Sequence, residues 1–147
     1  MMTSVPRGLP DTPAGTRTGP TGIDANEVAL HAMSAVGAPY AEGGASPESG
    51  FDCSGFVAYV FWRASQLELP RTTLELSRFG HHVETESLQP GDLVFFDTQR
   101  RPYSHVGIYL GGQRFIHAPS SGGTVRIEDM RVDYWLRRFS GARRVAL

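Results

Sequence analysis

The single cysteine, Cys53, stands where a stretch rich in Gly, Ser and Pro, Glu42 to Gly50, gives way to an apolar helical stripe. A thiol at the first turn of a helix faces unpaired N–H groups and the positive end of the helix dipole. Both favour the thiolate, the nucleophilic form of cysteine. The same N–H groups can hold the oxyanion of a tetrahedral intermediate. Gly55 is expected to leave room for a substrate at that turn. Two histidines, His105 and His117, flank a hairpin signal twelve residues apart. If they share a face, one can act as general base for Cys53 while the other orients its ring, a nucleophile–base–orienter set in the order Cys, His, His.

Other readings compete with this one. A lone cysteine is more often a small buried residue than a catalytic one, and a histidine at a strand end is most often polar surface. A structural cysteine would sit within the stripe of Phe56, Val57 and Val60, whereas Cys53 precedes it. Two histidines and a cysteine can also bind zinc. Here they lack compact metal spacing and would want a fourth ligand, which His81 or His82 could supply. His31 reads as a helix-face or packing residue, and His81 and His82 as structural residues just past a helix end. Tyr134, Trp135 and Leu136 read as core or rim packing. The pairs Arg137-Arg138 and Arg143-Arg144 read as solvated faces.

Helices come first and strands second along the chain. Asp24-Ala25-Asn26-Glu27 carries the capping-box pattern and starts a first helix, which Gly37 and Pro39 end. A second helix starts at Cys53, its buried stripe made by Phe56, Val57, Val60, Phe61 and Ala64. A short third helix is expected from Thr72 or Thr73 to Phe79. Pro90-Gly91-Asp92 then marks a turn before a buried strand, Leu93 to Phe96. Val106 to Leu110 and Arg114 to Ala118 form the hairpin, followed by short strands at Val125 to Ile127 and Arg143 to Ala146. A two-residue loop at Gly111-Gly112 would send the two histidines to opposite faces. A three-residue loop, Gly111 to Gln113, places His117 opposite Gly107 with His105 as its diagonal neighbour on the same face. The order predicts an α+β fold, N-terminal helices packed on an antiparallel β-sheet.

The length of 147 residues suits one domain. Residues 1–22 are rich in Pro, Gly and Thr and read as a flexible arm; the folded domain is expected over 23–147. A net charge of −1 gives no electrostatic reason to expect a nucleic-acid partner. No apolar run approaches the roughly 20 residues that span a bilayer, and the N-terminus reads without a secretory leader. One cysteine excludes an intramolecular disulfide.

Five runs occur in order: Gly50-Phe51-Asp52-Cys53-Ser54-Gly55-Phe56, Leu69-Pro70-Arg71-Thr72, Leu88 to Phe96, Ser104-His105-Val106-Gly107-Ile108-Tyr109 and Ile116-His117-Ala118. Together they resemble the NlpC/p60 family of cysteine peptidases. The resemblance runs from about Val28 to Val145. It implies a papain-like α+β fold and hydrolysis of peptidoglycan stem peptides at the bond between D-γ-glutamyl and a diamino acid, meso-diaminopimelate or Lys. By motif match it implies Cys53 as nucleophile, His105 as base and His117 as the third polar residue. Tyr40, Asp52, Ser54 and Arg71 would bind substrate. It implies no metal or organic cofactor, a place in the bacterial cell envelope or outside the cell, and a monomer acting on stem peptides. The family's Tyr-x-Trp-Gly-Gly is here Tyr40-Ala41-Glu42-Gly43-Gly44, a carboxylate in place of a large aromatic. A papain-like amidase or acyltransferase, and a cell-wall binding module without catalysis, are the alternatives.

Overall fold

The computed structural model describes residues 24–119 and 123–145. The arm expected at 1–22, the domain start at Ile23 and the end of the last expected strand at Ala146 lie outside the described residues.

Two helices carry the first half of the chain. α1 spans Ala25–Ser34, with Asp24 as its cap. Asp24 accepts from the Asn26 N–H at 2.9 Å, and Glu27 turns away to His31, 3.5 Å distant, so the expected reciprocal capping box is only half made. α2 spans Cys53–Ser65 and starts at the expected residue. Its cap, Asp52, takes the Gly55 N–H at 2.6 Å, which satisfies one of the orphan donors of the first turn. Between the helices, the stretch expected to be loop contains a two-residue strand pair, β1 (Ala45–Ser46) and β2 (Gly50–Phe51). α3 covers only Thr73–Leu76, shorter than expected. Ser77 Oγ donates to the Leu74 carbonyl at 2.6 Å, and the Arg143 guanidinium holds the carbonyls of Phe79 and Gly80 at 2.9 and 2.8 Å. These bonds draw the chain off the helix axis and into β3, His81–His82.

The remaining strands are β4 (Leu93–Phe96), β5 (His105–Gly111), β6 (Arg114–His117), β7 (Arg126–Asp129) and β8 (Phe139–Arg144). With β3 they form a six-stranded sheet in the order β3-β8-β4-β5-β6-β7, every neighbouring pair antiparallel. A one-turn helix, α4 (Asp133–Leu136), precedes β8. His81 and His82 are therefore exposed edge-strand residues paired with Arg144 and Arg143, not residues completing a helix end. The expected strands Val125–Ile127 and Arg143–Ala146 are displaced to Arg126–Asp129 and Phe139–Arg144.

The two sheet faces bury different clusters, as period-two alternation requires. Phe56, Val57, Val60 and Phe61 of α2 pack with Val28 and Ala32 of α1 against Phe95, Val106, Ile108 and Ile116. Val94, Phe96, Tyr109, Phe115 and Trp135 fill the other face. Arg144 joins the ends of this arrangement. Its guanidinium binds both oxygens of the buried Asp92 at 2.8 and 2.9 Å and the Ser87 carbonyl at 2.9 Å. Arg143 and Arg144 are thus clasps within the fold rather than a solvated face. Among the described residues no helix is long and apolar enough to cross a membrane.

Candidate active site

The β5–β6 hairpin decides whether the two histidines meet. Ile108 pairs with Ile116 and Tyr109 with Phe115, but Gly111 pairs with Arg114, so Leu110 is bulged out. The turn itself is Gly112-Gln113, with φ of 61° and 65°. A two-residue turn plus one bulged residue yields the same register as the expected three-residue loop. That register sets His117 across from Gly107, where a side chain would strike the Phe115 ring at 2.8 Å and the Ile116 carbonyl at 2.9 Å. His105 and His117 consequently share a face, and His105 Nε2 lies 2.7 Å from His117 Nδ1. Trp135 packs against both rings, at centroid distances of 6.0 and 5.1 Å. Of the trio read as packing, Trp135 is buried, whereas Tyr134 and Leu136 are exposed.

Cys53 lines one cleft with His105, together with Tyr40, Thr98, Gln99, Ser104, Ala118, Arg126, Glu128 and Tyr134; its volume is about 420 Å³. The Cys53 sulfur lies 3.4 Å from Thr73 Oγ1 and within hydrogen-bonding reach of the Val106 N–H, the residue after His105. Ser104 holds the cleft wall: its Oγ accepts from the N–H groups of Thr98 and Gln99 at 2.9 and 3.2 Å.

Three sequence expectations change at this point. Burial pushes the Cys53 thiol above its ordinary range; hydrogen bonds from Thr73, Val106 and Ser54 oppose this, and the neighbouring Asp52 charge adds to it. Desolvation thus outweighs these bonds, and the resting thiol is protonated. Gly55 leaves no space for substrate, because its missing side chain is replaced by the Gly44 carbonyl oxygen, which approaches the same point. Asp52, Ser54 and Arg71 do not line the cleft but bind one another. Arg71 Nη1 donates to Ser54 Oγ at 2.8 Å and to Asp52 Oδ1 at 3.3 Å, while Asp52 Oδ2 takes the Gly43 N–H at 3.0 Å. Tyr40 does reach the cleft. Burial, then the charges of Cys53, Asp52 and Glu42, raises its phenol pKa, so Tyr40 stays protonated at neutral pH.

Burial, and secondarily His117, lowers His105 to about 3. Burial also lowers His117 to about 4, partly opposed by the hydrogen bond that its Nε2–H donates to Glu128 and by the Glu128 charge. Both rings are neutral near pH 7. Glu128, not foreseen from sequence, receives His117 Nε2 at 3.2 Å and the Arg126 Nε–H on the same oxygen, Oε2. Burial raises the Glu128 carboxyl, but the bonds from Arg126 and His117 more than offset this, and the net direction is down. Period-two alternation on β7 carries the signal, since Arg126 pairs with His117 and Glu128 with Phe115 on one face. Ending the strand at Ile127 hid it. Among the described residues no three His, Cys, Asp or Glu side chains gather as a metal-ligand set. His81 and His82, considered as a fourth zinc ligand, sit on β3 at the far edge of the sheet.

A model of the NlpC/P60 family matches residues 37–144. The chain belongs to the NlpC/P60 family. Its α+β architecture is that of the family's solved structures. An NlpC/P60 family protein from Bacillus cereus ATCC 10987 superposes with a TM-score of 0.77 at 32% identity, over 84% of this chain and 40% of that one. Among curated family relatives, murein DD-endopeptidase MepH of Escherichia coli (strain K12) is 43% identical over 125 residues, 82% of this chain and 46% of that protein. Gamma-DL-glutamyl hydrolase of Bacillus subtilis (strain 168) is 43% identical over 110 residues, 74% of this chain and 26% of that protein. The chain spans under half the length of each of these three relatives.

Proposed function

We propose that this NlpC/P60 chain is a cysteine peptidase that hydrolyses peptidoglycan stem peptides, with Cys53 as nucleophile, His105 as general base and His117 as orienter. The observation that carries this reading is that a thiol at a helix N-terminus and His105 line one cleft, with His105 hydrogen-bonded to the buried His117 behind it. His105 uses Nε2 toward His117 and so has Nδ1 available for the thiol proton. Because thiol and imidazole both rest uncharged, the proton moves to His105 Nδ1 as Cys53 Sγ attacks the scissile carbonyl carbon. The N–H of Cys53, at the helix start, holds the oxyanion. His105 then protonates the leaving amine, and water releases the acyl group from sulfur.

The scissile bond of this reading joins D-γ-glutamate to a diamino acid, meso-diaminopimelate or Lys. The name of the Bacillus subtilis relative, a gamma-DL-glutamyl hydrolase, is in keeping with a γ-glutamyl substrate. Tyr40, with the Asp52–Ser54–Arg71 set behind it, meets the free amine of the substrate. The name of the Escherichia coli relative favours a second reading, hydrolysis of a DD cross-link. The protein works as a monomer in the cell envelope or outside the cell.

Mass spectrometry of defined stem peptides and of a cross-linked dimer, incubated with wild type and with Cys53→Ala, separates these readings. The expected products end in γ-D-glutamate and form with wild type alone. Products cut only at the DD bond would replace the first substrate reading with the second. An added amine in the product would mean transfer rather than hydrolysis, and intact peptides in both samples would support a binding module.

A further inference from the structure

His117 is fully buried, and both of its ring nitrogens are engaged. A neutral imidazole carries one N–H and one lone pair, so its two partners must differ in kind. On one side stands His105 Nε2, which can donate or accept. On the other stands the Glu128 carboxylate, which only accepts. The same Glu128 oxygen also receives the Arg126 Nε–H. Arg126 and Glu128 lie two residues apart on β7 and point to the face that carries His117. Glu128 is therefore held by a cation and aimed at a buried ring.

We infer that Glu128, clamped by Arg126, is a positioning residue that holds His117 as the Nε2–H tautomer and thereby presents His105 Nδ1 as the base. This inference rests on the proposed roles of Cys53 and His105. With His117 Nε2–H donating to Glu128, His117 Nδ1 has only a lone pair. His105 must then donate its Nε2–H across the 2.7 Å contact, which leaves Nδ1 unprotonated. Without Glu128 the relay runs in either direction, and in the reverse direction His105 keeps its proton on Nδ1 and cannot take another from Cys53. The carboxylate also stabilises the positive charge that reaches the histidine pair when the thiol proton moves.

The test compares Glu128→Ala and Glu128→Gln with wild type and Cys53→Ala on one defined stem peptide, with 15N couplings of the two imidazoles read in the full chain. Wild type should show both neutral rings protonated on Nε2. Glu128→Ala should lose at least about tenfold in kcat, and no more than the ~10²–10⁴-fold that general acid–base catalysis contributes in all, with little change in KM. Its imidazoles should show mixed tautomers. Glu128→Gln should recover kcat to within a few-fold, since two donors aimed at one site select the amide oxygen. A wild-type His117 protonated on Nδ1 would overturn the inference without any variant. So would a wild-type kcat in Glu128→Ala, or a loss confined to KM, which would make Glu128 a substrate contact. If Cys53→Ala is inactive while Glu128→Ala is fully active, only the role of Glu128 falls. If Cys53→Ala is itself fully active, the reading of the whole site falls.

Discussion

At Cys53 two effects of similar origin oppose each other. Hydrogen bonds from Thr73, from the Val106 N–H and from the Ser54 N–H at the helix start favour a thiolate, while burial favours the thiol, and burial wins. At His105 burial favours the neutral ring, which lies near 3. A preformed thiolate–imidazolium pair would need both shifts reversed. Iodoacetamide alkylation of Cys53 should therefore speed up with pH, with a midpoint above the ~8.5 of a free cysteine. A rate that stays flat from pH 8 down to pH 6 would contradict this. The types and positions of Cys53, His105 and His117 are legible in the sequence because they stand at element boundaries, where loop chemistry meets an apolar run. Their protonation states are not, because desolvation depends on neighbours such as Trp135, thirty residues beyond His105 in the chain.

At the scale of the element, the hairpin is the device that brings the histidines together. Its register depends on a bulge at Leu110 and a turn at Gly112-Gln113, and on the absence of a side chain at Gly107. Gly107→Ala should destabilise the fold by about 1–3 kcal/mol, as overpacking of a filled site does. It should also weaken the His105–His117 bond, because the new methyl group would press on His117 Cβ from 3.2 Å. Urea unfolding measures the first effect and imidazole NMR shifts the second; unchanged values for both would show that the site is not tightly packed. The helices α1 and α2 were readable from their caps and stripes. The short elements were not. β1, β2 and β3 have two residues each, too few for a period to register, and α3 is cut short by Arg143, a residue 64 positions after Phe79. Glu128 escaped for the same reason, since a short strand with Arg126 and Ile127 exposed gives little hydrophobic alternation.

Across the whole molecule, the sheet separates a helix-covered core from an aromatic one, and Arg144 fastens the end of β8 to the turn before β4. Asp92 is 3% exposed and Arg144 32%. Arg144→Ala should leave an uncompensated carboxylate and cost about 2–4 kcal/mol, somewhat less than a fully buried pair because Arg144 keeps some water. Since the clasp touches no residue of the cleft, kcat at a temperature where the variant is folded should match wild type. A fall in kcat with unchanged stability would place Arg144 in the site rather than in the scaffold. Fold class and family follow from ordered motifs spread along the chain. The partner strands of Arg143 and Arg144 follow only from three-dimensional pairing.

Attack of Cys53 on the substrate is the step on which the proposed function stands. Acid-quenching the protein during turnover of a stem peptide, then measuring its intact mass and mapping the adduct, tests this most directly. The expected result is an added acyl fragment ending in γ-glutamate, attached at Cys53 in wild type and missing from Cys53→Ala, which should also be inactive. Turnover by Cys53→Ala at the wild-type rate, with no adduct in either protein, would contradict it.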